Sequence, residues 1–431
     1  MTTASQRTVQ VLEQIVKPVP LGTNLALLQL MWAIISGAFL TGRGAIHTAL
    51  EECGFTPQEI RRCWQALWAG QWQIHELIGQ FRDLVSADGQ WQPTQCEGWR
   101  PVAVDLTAIW RPNLRGWLGK MFRRLAEKKQ TGIGFGLIAD IGSVGEQRVP
   151  LIRGIVRGET AGESETTLQR RTLNKAAKML KEDEVSIHDA GVSLREIHEA
   201  RIPRFVARQR SNITGRRNTL PLYRSGRRHK FGEIVRPLAR KRAGKVIAAS
   251  PADCVETFSY QGRLITGRGW YDLVRSDQHV SAANKTFSIW VIEDLAYEDP
   301  WVLATNLDCS AETVYYLYLN RWPVEQIPLV AKQLLGMQRQ FVFAHQCCWR
   351  LGELAFLAGN ILAWLAAILP PFATGFWDRN PKRTPGRLRR RLSQTLFSNE
   401  WLSQPELRKK KSVTSHLPKG IDAHRRRKAP T

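Results

Sequence analysis

Apolar positions recur at helical spacing through residues 1–97, with no alternating run that reads as a strand. After Trp99 the period shortens to two. Residues 102–107 form a short β run, and 133–144 with 147–156 read as a hairpin turning near Gly145. A helix is expected at 163–182, a strand at 184–188, a helix at 193–200 and a strand at 204–208. Helices that link strands imply parallel neighbours and the hairpin implies antiparallel ones. The expected class is therefore α/β with a mixed sheet, preceded by an α-helical N-terminal domain. A loop-rich stretch follows, then β segments at 254–260, 262–275 and 285–293 that look inserted. Residues 301–306 resume as a strand, and Ser310 can cap the next helix. These breaks divide the chain into a helical domain at 1–97 with a candidate role in DNA binding, a first core part at 98–212, a β-rich basic insertion at 213–300, a second core part at 301–372 and a basic tail at 373–431.

Two apolar runs, at 25–40 and 351–369, raise the question of a membrane. The first is short and holds Gln29 and Ser36; the second holds Glu353 and Asn360 and ends at Pro370-Pro371. Such groups are costly in lipid, so both are expected to be buried helices and no membrane is implied. Residues 43–62 read as helix, Gly54 turn, Thr56 N-cap, Pro57 at the first helical position and a second helix bearing Arg61 and Arg62. That outline suits a helix-turn-helix, and equally a plain helical hairpin.

Charge adds a partner to this picture. Of the net +24, the stretch 204–245 holds fourteen Lys/Arg against Glu233 alone, and 379–431 holds sixteen against Glu400, Glu406 and Asp422. The remainder is close to neutral, so two basic segments point to a polyanion, with nucleic acid as the natural candidate. The tail, with its like charges and few large apolar residues, is expected to be poorly ordered without DNA. Seven cysteines lie without a CxxC pair or zinc spacing, and residues 1–10 have no signal-peptide character. A reducing cytosol is expected.

The chemistry concentrates in Tyr318-Leu-Asn-Arg321-Trp-Pro-Val-Glu325 and, seven residues on, Lys332. On one helix the offsets 0, 3, 7 and 14 fall within roughly 60° of each other, so a carboxylate, two cations and a phenol would share a stripe. A solvated face with i, i+4 ion pairs gives the same spacing. Pro323 and Pro328 predict a kink beside Glu325. Asp105 lies in the first strand, Asp189 just past the strand after the crossover helix, and adjacent parallel strands would set them side by side. Asp105, Asp189 and Glu325 together could hold two Mg2+ about 3.5–4 Å apart for phosphoryl transfer. Each aspartate alone reads better as a strand-end turn residue or cap, and it is their joint occurrence in this order that points to the metal.

These residues carry a resemblance. The order Asp105, Asp189, Glu325, with Tyr-x2-Arg-x3-Glu-x6-Lys from Tyr318 to Lys332, is similar to the DDE transposases of bacterial insertion sequences, in the IS-four family. Shared words include Asp-x-Thr at Asp105, Asp189-Ala-Gly191, Arg208, Thr305-Asn306-Leu307 and Arg321-Trp322; Val192 stands where an aromatic is common. The likeness spans about 102–369. It implies an RNase-H-like catalytic core split by a β-rich insertion. It also implies Mg2+-dependent cleavage at element ends and strand transfer, with Mn2+ as a substitute metal and a homodimer on DNA. Asp105, Asp189 and Glu325 become metal ligands and catalytic residues, and Tyr318, Arg321, Lys332, Arg208 and Arg210 become DNA contacts. A cytoplasmic, nucleoid-associated protein follows. Trp270 or Trp290 is a candidate for holding a flipped base, with core packing as the other reading. A DNA-binding protein that keeps the fold without catalysis, or a structure-specific nuclease, are the competing functions.

Overall fold

The structure is a computed structural model; it describes residues 3–117, 119–222, 229–404 and 407. It is mixed α/β, with a helical N-terminal region and a large mixed sheet. The helices are α1 (Ala4–Val16), α2 (Thr23–Ile35), α3 (Ala38–Thr41), α4 (Ile46–Glu52), α5 (Pro57–Ala69), α6 (Ile74–Asp88), α7 (Glu165–Met179), α8 (Leu194–Glu199), α9 (Ala311–Leu319), α10 (Gln326–Leu329), α11 (His345–Ile368) and α12 (Pro385–Leu392). The longer strands are β1 (Arg100–Trp110), β2 (Lys128–Asp140), β3 (Leu151–Arg157), β4 (Glu184–His188), β5 (Phe205–Gln209), β6 (Cys254–Tyr260), β7 (Arg263–Arg275), β8 (Phe287–Glu293) and β9 (Trp301–Thr305).

By contact the chain forms two compact units, one of Met1–Pro93, Leu106–Gln169 and Pro323–Thr431, the other of Thr94–Asp105 and Arg170–Trp322. Strand β1 contributes to both, changing unit after Asp105. Composition cut the chain differently, into five segments, because it registers charge and periodicity rather than contacts.

In the first unit α1 and α6 pack together, α2 packs on α5, and α11 packs on α2, α5, α6 and β3. Helix α11 is the one described helix long and apolar enough to cross a membrane, and 94 % of its apolar stretch is buried within the fold. Its polar residues explain why. Asn360 donates to the Pro150 carbonyl at 2.5 Å and accepts from Ile152 N–H at 2.9 Å, while Glu353 pairs with Arg157 at 3.5 Å. Both groups are matched inside protein, which removes the penalty of burying them. Strands β2 and β3 form the expected antiparallel hairpin, from Phe135 opposite Arg157 to Asp140 opposite Leu151.

The expected turn between α4 and α5 is formed as read: Gly54 has φ +83°, Thr56 and Glu59 make a reciprocal capping box, and Pro57 opens α5. Arg61 and Arg62 stand exposed on α5. The described part of the C-terminal segment corrects the expectation of poor order. Leu388 and Leu392 of α12 are fully buried, Trp32 meets Phe397 at 5.9 Å and Trp401 at 5.8 Å, and Glu13 accepts from Ser403 and Gln404. Spaced apolar residues among the arginines supply a packing face that net charge conceals. Residues 405–406 and 408–431 of the expected tail lie outside the described residues.

In the second unit β1 runs parallel to β4 and β4 parallel to β5, as the crossover helices required. Strand β9 pairs antiparallel with β5, and β8, β7 and β6 extend the same sheet by antiparallel steps. The β segments expected as an insertion thus belong to the sheet of β4 and β5. Helix α9, capped by Ser310, buries Val314, Tyr315 and Tyr318 against Val185, Ile187, Val206 and Leu303. The word Thr305-Asn306 is a clip. Thr305 donates to the Phe205 carbonyl at 2.7 Å, and Asn306 accepts from Phe205 N–H at 3.0 Å while donating to Pro203 at 2.7 Å.

Candidate functional site

The second unit gathers Asp105, Asp189, Arg208, Tyr318 and Arg321. Its parallel ladder sets Arg100 opposite Glu184 and Ala103 opposite Ile187. Carried two residues further, the same offset sets Asp105, midway along β1, opposite Asp189, which directly follows the last residue of β4; neighbouring strands lie about 4.8 Å apart. Both aspartates are half-buried. The register is locked below them by Arg100, which donates to Asp183 at 2.7 Å and lies 3.5 Å from Glu184.

Helix α9 brings a phenol to this pair. Tyr318, fully buried, donates its hydroxyl to Asp189 Oδ1 at 3.3 Å and packs edge-on against Trp301 at 5.0 Å. Arg208 of β5 hydrogen-bonds the same hydroxyl. Burial pushes the phenol above its ordinary range, the charge of Asp189 adds to this, and Arg321 and Arg208 oppose it. Tyr318 is therefore a neutral donor. Arg321, 2 % exposed, sits with its guanidinium carbon 5.9 Å from the Tyr318 ring centre and 4.7 Å from that of Trp322. Arg210 is exposed beyond the end of β5.

The continuous helix expected from Tyr318 to Lys332 is not formed. Helix α9 ends at Leu319, a 3-10 turn spans Trp322–Glu325, α10 is four residues long, and Val330–Leu334 is a π-turn. Pro323 and Pro328 bring no N–H donor, so the i to i−4 ladder cannot run through this stretch. The break is sharper than a kink. Glu325 and Lys332 count with the first unit, where Glu325 is half-buried and Lys332 Nζ donates to Thr107 Oγ1 at 2.6 Å. Thr107 closes the Asp-x-Thr word, and its role as partner of a lysine 225 positions away had no signature in the sequence.

No family model matches the chain, and no curated protein matches it. The residues themselves carry the chemistry. Asp105 and Asp189 supply the hard oxygen donors that magnesium takes, and that ion needs few protein ligands. Among the described residues no group of three His, Cys, Asp or Glu side chains is set to hold a metal. The donor chemistry fits at two positions in the second unit, and Glu325 is the third carboxylate of the sequence pattern.

Trp270 and Trp290, the candidates for a flipped base, are core residues: they are 1 % and 0 % exposed, and Trp270 donates to the Pro251 carbonyl at 2.8 Å. Part of the basic stretch also serves structure. Arg217 pairs with Asp253, Arg204 donates to the Glu184 carbonyl, and Arg216 and Arg240 donate to the Gly232 and Asn212 carbonyls.

Proposed function

We propose that the chain is a DDE-type DNA transposase with an RNase-H-like catalytic core, cutting the ends of an insertion sequence and joining them to target DNA. The observation that carries this reading is the parallel register of β1 and β4, which brings Asp105 of β1 level with Asp189 just past β4, with Tyr318 bonded to Asp189. Two aspartates that share nothing in sequence are otherwise an odd thing to juxtapose. The RNase-H-like reading is supported by the order strand, hairpin, helix, strand, helix, strand, with β1, β4 and β5 parallel. A nuclease would also use the aspartates but has no need of the Tyr-Arg-Lys set.

In this reading Asp105, Asp189 and Glu325 would hold Mg2+, which when bound activates the attacking oxygen and stabilises the leaving one. The chain's own residues do the rest. Tyr318 orients Asp189, Arg208 and Arg321 set positive charge around it, and Lys332, steadied by Thr107, offers an ammonium to a phosphate. Basic residues of the 204–245 stretch that are not bonded internally meet the DNA backbone. A strand-transfer assay tests the proposal: the protein, Mg2+, DNA flanking its own gene and a plasmid target should yield joined products. Cleavage without joining would favour the nuclease, and binding without either would favour a DNA-binding protein.

A further inference from the structure

The loop that leads into α11 carries two phenylalanines that the fold leaves in solvent. Phe341 is 62 % exposed and Phe343 56 %, while Val342 between them is 2 % exposed. This alternation is fixed rather than loose. The Val342 carbonyl accepts from Arg111 and from the Cys348 thiol, each at 3.3 Å, and Phe341 N–H donates to the Gly44 carbonyl at 2.9 Å. Gly44 has φ +82°, and a Cβ there would lie 1.5 Å from the Arg339 carbonyl oxygen, so the docking of this loop requires glycine.

Two large rings held in water cost stability, yet the backbone is pinned to present them side by side. Their centroids are 5.4 Å apart, and the Arg111 guanidinium lies 5.5 Å from the Phe343 ring centre. The two chain stretches that meet here are cationic in sequence. The stretches 106–120 and 329–345, which meet at this loop, carry Arg111, Arg115, Lys120, Lys332 and Arg339 without one Asp or Glu.

We propose that Phe341 and Phe343 form a stacking platform for unpaired bases of a DNA strand, with Arg111 and Arg339 meeting its phosphates. Every base offers a π-face to an aromatic ring, and the absence of carboxylates from these stretches suits a polyanion rather than a protein surface of mixed charge. The inference rests on the reading that the chain binds DNA.

The test titrates the full-length protein with a single strand carrying 2-aminopurine and with a paired duplex of the same sequence. Wild type is compared with Phe341→Ala/Phe343→Ala and with Phe341→Tyr/Phe343→Tyr. Stacking predicts that wild type and the Tyr pair quench the fluorescence and the Ala pair does not, with single-strand affinity of the Ala pair falling about ten-fold or more. Duplex affinity should hold. Unchanged quenching and single-strand affinity in the Ala pair, with duplex binding intact, would overturn the platform and leave the DNA reading standing. Wild type that binds neither DNA would overturn both. A change of oligomeric state in the Ala pair with unaltered DNA binding would also overturn the platform, and would assign the rings to a contact between copies instead.

Discussion

Tyr318 can be separated from its neighbours by one atom. Tyr318→Phe keeps the buried ring against Trp301 and removes the hydroxyl that donates to Asp189 and accepts from Arg208. A hydrogen bond of this kind is worth about 0.5–1.5 kcal/mol, so end cleavage in single turnover should slow roughly two- to ten-fold while DNA binding holds. An unchanged rate would mean that Asp189 needs no such orientation. Lys332→Ala should act differently: removing a charge-assisted bond to phosphate, about 1.5–3 kcal/mol, should lower end-specific affinity at least ten-fold and leave non-specific affinity nearly alone. Equal falls in both, by filter binding, would make Lys332 an ordinary surface cation. At this scale the sequence named the residues but not their partners. Tyr318 and Asp189 are 129 positions apart, and no local spacing encodes such a meeting. Phe341 and Phe343 read as ordinary apolar residues because exposure is not written in residue type.

Among the elements, β4 carries an unusual group. His188 is fully buried, and neither ring nitrogen has a hydrogen-bond partner among the described residues, so burial pushes its pKa down to about 3. His198 on α8 is pushed down too, by burial and then by Arg275 and Lys285. Stability is fully present above the ordinary histidine range near 6.5 and is lost as pH falls toward the folded value, because the unfolded chain takes a proton that the folded one refuses. For the fully buried His188 the loss runs at about 1.4 kcal/mol per pH unit, and His198, partly exposed and screened by solvent, adds less. Urea melts at pH 7.5 and 5.5 should show it, and His188→Leu should flatten the difference. An equal slope in that variant would clear His188. Element types were legible wherever period and turn chemistry agreed, as in β4, in the β2–β3 hairpin and in the capped start of α5. The helix through Glu325 was not: the two prolines pointed to a kink, and spacing at 3.6 residues does not tell a kink from a full break.

For the whole molecule the C-terminal segment is the sharpest revision. Truncation at Phe372 would strip Phe397 and Trp401 from Trp32 and remove α12. It should therefore destabilise the first unit by more than about 3 kcal/mol in urea unfolding. A variant ending at Leu407 keeps that packing and removes residues 408–431, nine of which are Lys or Arg against Asp422 alone. If those residues meet DNA, the log–log salt dependence of binding should flatten, by about 0.9 for each phosphate no longer neutralised. An unchanged slope would leave the 204–245 stretch as the main polyanion surface. The α/β class and the two basic segments were visible in the sequence, because periodicity and charge are local. The division into two units was not, because it depends on which distant stretches touch. Parallel assays of DNA binding and end cleavage in Mg2+ for Asp105→Ala, Asp189→Ala and Glu325→Ala test whether the three carboxylates form one metal site. All three should bind DNA within a few-fold of wild type and none should cut. An Asp189→Ala protein that still cuts and joins its ends would remove Asp189 from the metal site and the transposase reading with it.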